Sequence, residues 1–128
     1  AAACLATLRQ VWPDRVLESL SEILSERRIP PSLAVVLGVR SAREGIPNGL
    51  ALPAFLQNYV ANLVIAGVRL IPLGQTDGQL AIAELEQAVL AASAQAKQAT
   101  IDDLGSAAFM VDLASMAHET QYTRLFRS

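Results

Sequence analysis

Side chains able to do acid–base, nucleophilic or metal chemistry are scarce in this sequence. It holds one cysteine, Cys4, and one histidine, His118. A protein metal site of the usual kind needs three or four ligands, so these two cannot make one without carboxylates. Two copies of His118 could meet across a two-fold axis, but nothing in the sequence shows that they do. Cys4 lies among alanines and leucines, away from any glycine-rich elbow or helix start that would lower a thiol pKa. There is no serine elbow, no dinucleotide fingerprint and no phosphate loop. Catalysis by this chain, a bound metal and a resident cofactor are therefore not expected. The polar side chains that could act concentrate in two places. One is the loop Pro72 to Gln79, PLGQTDGQ; the other is the tail His118 to Ser128, HETQYTRLFRS.

The elements that must position these groups are helices. From Gly45 to Thr76 the only charged residue is Arg69. Soluble chains leave a stretch uncharged when it is to be buried. Apolar residues from Ala54 to Val68 recur at helical spacing: Phe55, Tyr59 and Leu63, with Val60, Val64 and Val68 beside them. Asn58, Asn62 and Arg69 form a narrow polar stripe on the same helix, with Gln57 next to it. Pro53 suits its first turn, and Pro72 and Gly74 stop it. This predicts a central helix surrounded by protein. A membrane span needs about 20 apolar residues, and Gln57, Asn58 and Asn62 divide the run into shorter pieces.

The remaining elements are read as helices too. Ala1 to Val11 is one. Pro13 opens a second, with Leu17, Leu20, Ile23 and Leu24 inward, Glu18, Glu22 and Glu26 as a solvated face, and Arg27 and Arg28 late. After Pro30 and Pro31, AVVLGV (34–39) suits a strand by composition. It has no partner strand and is read as a helix, with Gly38 at a close contact. Thr76 and Gln79 have capping-box spacing, and a long helix follows from about Asp77 to Gln98. Two glycines and two glutamines in that loop exceed what capping requires. A last helix from about Ser106 to His118 carries Phe109, Met110, Leu113, Met116 and Ala117, as core filler or as an adaptable binding face. The expected architecture is all-α: a single domain over 1–128, a bundle of five or six helices around a buried central one, with 119–128 as a tail.

The chain is 52% apolar but 5% aromatic, which favours close-packed aliphatic helices. Mean hydropathy is +0.35, high enough that some apolar surface is expected to meet a partner. A net charge of −2 without a long basic run argues against nucleic acid. The lone cysteine fits a reducing compartment, and no signal peptide or lipidation motif is visible. The start, AAACLATLRQVW, reads as the inside of a helix and suggests a fragment or a processed product.

Two long stretches, VRLIPLGQTDGQ (68–79) and DLASMAHETQYTRLFRS (112–128), resemble the urease accessory protein family UreF. So do LALPAFLQNYVANLV (50–64) and the segment 101–109. The resemblance is strong from Ser32 to Ser128 and loose before it. It identifies a C-terminal portion, with the family's N-terminal part absent. It implies an all-α, cytoplasmic, non-catalytic partner in nickel delivery to apo-urease. That partner binds the UreD/UreH-type accessory protein and recruits and regulates the UreG GTPase. It further implies a homodimer through helices, and no nucleic-acid or membrane partner. Carried over by position, Arg69 matches the basic residue linked to GTPase coupling, and Gln75, Asp77 and Gln79 match the loop. His118, Glu119, Tyr122 and Arg124 match the C-terminal motif, whose tail orders on binding the UreD/UreH-type protein. The residues leave other readings open. Arg69 can snorkel from a buried helix end, Gln75 to Gln79 can be a helix cap alone, and His118 can simply meet a helix dipole. A competing function is a small helical ligand-binding or catalytic domain using His118, Glu119 and Tyr122.

Overall fold

The computed structural model describes residues 1–105 and 108–120, apart from the Glu119 side chain. Among them the architecture is helical throughout. The order is α1 (Ala2–Val11), α2 (Arg15–Glu26), α3 (Leu33–Arg43), α4 (Asn48–Leu70), α5 (Gln75–Glu84), α6 (Glu86–Ala96), a 3₁₀ turn (Ile101–Asp103) and α7 (Phe109–Glu119). The all-α expectation holds. AVVLGV lies within α3. The long helix expected from Asp77 to Gln98 is two consecutive helices, α5 and α6. Leu85 separates α5 from α6 but keeps a right-handed helical backbone, and its N–H still donates to the Ala81 carbonyl at 3.1 Å. By their contacts the residues group into two units, Ala1–Lys97 and Gln98–Ser128.

Unit one is built in two parts. α1, α2 and α3 close over Leu5, Leu17 and Val36, with Cys4, Leu8, Leu24 and Val39 packed around them. Polar side chains fix how these helices meet. Arg9 on α1 pairs with Glu18 on α2, and its Nη1 donates to Ser21 Oγ at 2.9 Å. Glu18 therefore does not belong to a merely solvated stripe. Asp14 acts at two places at once. Its Oδ1 accepts the Val16 N–H at 2.8 Å and so caps α2, while Oδ2 accepts Arg43 Nε at 2.8 Å from the end of α3. Arg40 pairs with Glu44, and its guanidinium lies 5.6 Å from the Trp12 ring centre.

Two helices end in the same way with different residues. After α3, Gly45 (φ 69°) donates to Ala42 O and Ile46 to Ser41 O. After α2, Arg28 (φ 54°) donates to Ser25 O and Ile29 to Leu24 O. Both are Schellman closures, in which the left-handed position suits glycine. At Arg28 a side chain occupies it, at a cost of about 1 kcal/mol.

The second part of unit one is α4 packed against α5 and α6, with α3 near its start. The central helix is not buried, which corrects the sequence expectation. None of its residues is fully enclosed, and Tyr59 and Leu63 are 55% and 57% exposed. Its neighbours cover one side and leave the other bare. Pro53 lies inside the helix and not in its first turn. Gln57, Asn58 and Asn62 do not divide the helix either. Its 23 residues run continuously and are long and apolar enough, by length and composition, to cross a membrane. A core helix of a soluble protein passes the same test, and the stripe of Asn58, Asn62 and Arg69 would be costly in lipid. The missing charges on α4 thus do not mark a fully buried helix.

Replacing Arg28 by glycine is expected to stabilise the chain by about 1 kcal/mol, by removing the left-handed strain; a urea titration of Arg28→Gly against the parent measures it. Arg43 holds the Asp14 carboxyl below its usual range, burial opposes this, and the Val16 N–H adds to it. A lowered folded-state pKa gives stability that is complete above the unfolded value of about 3.9 and lost as pH falls through the folded one. Acid unfolding of the parent is therefore expected to be steeper below about pH 4 than that of Asp14→Asn. Melting curves from pH 7 to 2 should show that difference.

Candidate functional site

The polar loop sits where α4 hands over to α5. Arg69 occupies the last turn of α4, and the helix closes when Ile71 donates to Gly67 O at 2.8 Å. Pro72 follows, and α5 begins at Gln75 with Gly74 as its cap. The Gly74 N–H donates to Asp77 Oδ2 at 2.9 Å. That is half of a capping box; glycine has no side chain to return the bond. The pair expected from sequence, Thr76 and Gln79, lies instead within α5. Asp77 is thus a structural residue that starts the helix.

The surplus glycine has a separate reason. A Cβ on Gly78 would lie 2.8 Å from Val68 Cγ2 and 3.7 Å from Val64 Cγ1. The missing side chain lets α5 rest directly on α4. Gly38, where a close contact was expected, has nothing within 4 Å of a Cβ position. Tight approach at Gly78 places Gln75 and Gln79, one turn apart on α5, beside Arg69. The three border a groove of about 240 Å³, floored by Val64, Ile65, Val68 and Ile82. Arg69 and two of the three loop residues singled out from sequence are therefore brought together, and Asp77 is turned away to the cap. A guanidinium and two amides on an aliphatic floor have no acid–base couple. They can hold carboxylates, carbonyls and backbone amides of another molecule.

The other predicted residues belong to unit two. His118 is in the last turn of α7, where a basic side chain suits the helix dipole. Glu119 ends that helix, but its side chain lies outside the described residues, as do Tyr122 and Arg124. Phe109, Met110, Leu113 and Met116 do not act as core filler. All are mostly exposed, Met110 to 78%. In the same unit Thr100 donates its N–H and hydroxyl to Asp103, which holds that carboxyl below its usual range. Among the described residues no group of three histidine, cysteine, aspartate or glutamate side chains could hold a metal.

Because Gly78 has no room for a branched side chain, Gly78→Val is expected to push α5 from α4 and cost about 1–3 kcal/mol. Denaturant titration gives the loss, and amide shifts at Gln75 and Gln79 should move with it.

Comparison with known proteins points one way. The family model for UreF matches residues 1–86, a span that contains the whole groove. Urease accessory protein UreF of Rhodopseudomonas palustris strain BisB5 is 48% identical over 126 residues, covering 98% of this chain and 51% of the relative. The protein of that name from Bradyrhizobium diazoefficiens is 51% identical over 111 residues, covering 87% of this chain and 46% of the relative. A third, from Rhodopseudomonas palustris strain BisB18, is 56% identical over 94 residues, 73% of this chain and 39% of the relative. The chain spans about half the length of the curated relatives it matches. No solved structure matches it.

Proposed function

Because the chain belongs to the UreF family of urease accessory proteins, we propose that it serves as a non-catalytic adaptor in nickel delivery to apo-urease. With the UreD/UreH-type protein it recruits the UreG GTPase and regulates it, in the cytoplasm. The observation that carries this reading is the convergence of Arg69, Gln75 and Gln79 on one groove between α4 and α5. Such a set recognises a protein surface and has no means of breaking a bond. GTP hydrolysis then belongs to the recruited GTPase, and nickel is cargo passed between proteins.

The names of the relatives support the accessory role. The bare apolar face of α4 supports contact with other chains, including a second copy of this one. The mostly exposed Phe109, Met110, Leu113 and Met116 of α7 support an interface in unit two, next in sequence to the tail motif His118, Glu119, Tyr122 and Arg124. Arg124 is the residue proposed to fix that tail, since a guanidinium can hold several oxygens at once.

The test is a pull-down of the chain with the UreD/UreH-type accessory protein, with and without residues 120–128. Binding that vanishes with the tail is the expected result. Equal binding by both forms would remove the tail from the interface.

A further inference from the structure

The groove at Arg69 does not stop at Gln79. A second cavity, of about 460 Å³, runs along the same seam between α4 and the consecutive helices α5 and α6. Gln79 and Ile82 line both, so the two lie side by side along that seam. It extends past Gln57 to Pro53 on α4 and to Glu86 and Leu90 on α6. From Pro53 to Arg69 the helix advances 16 residues, about 24 Å at 1.5 Å each. The floor is aliphatic. The amides of Gln57, Gln75 and Gln79 line its course, with a cation, Arg69, at one end and an anion, Glu86, at the other.

We propose that this seam is the docking groove for one amphipathic helix of a protein partner, carrying an acidic side chain toward Arg69 and a basic one toward Glu86. The inference rests on the adaptor reading and deepens it, by extending the contact to Gln57, Ile82 and Glu86. The length fits a helix of about four turns, far more than a small ligand spans. Two packed helices leave between them a furrow that accepts the ridge of a third. A lipid surface does not fit, because it would strand the amides and both charges. Opposite charges at the two ends set the direction in which the partner helix lies. Reversed, it would bring like charges together at both ends.

Glu86 lies in the first turn of α6 and is exposed, so it can be changed without disturbing the packing. Glu84, exposed two residues earlier and lining neither cavity, is the control. Association of each variant with the purified UreD/UreH-type protein and UreG GTPase is followed by biolayer interferometry at low and high salt, with circular dichroism as the check on folding. Glu86→Lys is expected to slow association about tenfold at low salt and less at high salt, as charge steering predicts. Ile82→Arg, which fills the junction of the two cavities, is expected to abolish binding, and Glu84→Lys to leave it unchanged. If Glu86→Lys and Glu84→Lys behave alike, or if both groove variants bind as the parent does while removal of 120–128 abolishes binding, the groove proposal falls and the adaptor reading stands. If the parent chain binds neither protein, both fall.

Discussion

The close seating of α5 on α4 at Gly78 is the constraint from which the candidate site follows. With no Cβ there, the two helices meet at van der Waals distance of Val64 and Val68. The approach brings Gln75 and Gln79 next to Arg69 and deepens the seam that runs on toward Glu86. A methyl group at that one position would need space that a β-branched valine cannot readily give. The handover loop serves the same end: Asp77 holds Gly74, so α5 begins at a fixed point behind Pro72.

The other part of unit one is held by different means. Its core is small, three buried residues, and three small helices cannot set their relative angles by so little packing alone. Charged hydrogen bonds supply the rest. Asp14 caps one helix and tethers the end of another, and Arg9 joins α1 to α2 through Glu18 and Ser21. These pairs are only partly buried, so their effect is on geometry more than on net stability.

Much of this was legible in the sequence. Helical periodicity, proline positions and the lack of a second strand gave the all-α class and most boundaries. Arg69, Gln75 and Gln79 stood out because polar residues are rare in that region. The errors have physical causes. Absence of charge is not by itself proof of burial: α4 carries one charged residue, yet none of its residues is fully enclosed. Composition cannot say which glycine packs closely: Gly38 sits in an apolar run and touches nothing, while Gly78 sits in a polar loop and touches two valines. Capping-box spacing cannot say which residue is the cap, and Asp77 outcompeted Gln79 because its carboxylate reaches the Gly74 N–H directly. The left-handed Arg28 left no trace, since nothing in RRIPP distinguishes it from an ordinary helix end.

A partner that covered the bare side of α4 would tie this molecule's persistence to the company it keeps. A ligand that binds only the folded form adds stability by mass action, about 2.7 kcal/mol at a hundred times its dissociation constant. For a chain whose longest helix has no fully enclosed residue, that increment is a large part of the whole. Copies made in excess of their partners would spend longer unfolded and meet proteases sooner. The population of the chain would then follow the supply of the proteins that cover it, a form of stoichiometric control that needs no regulator.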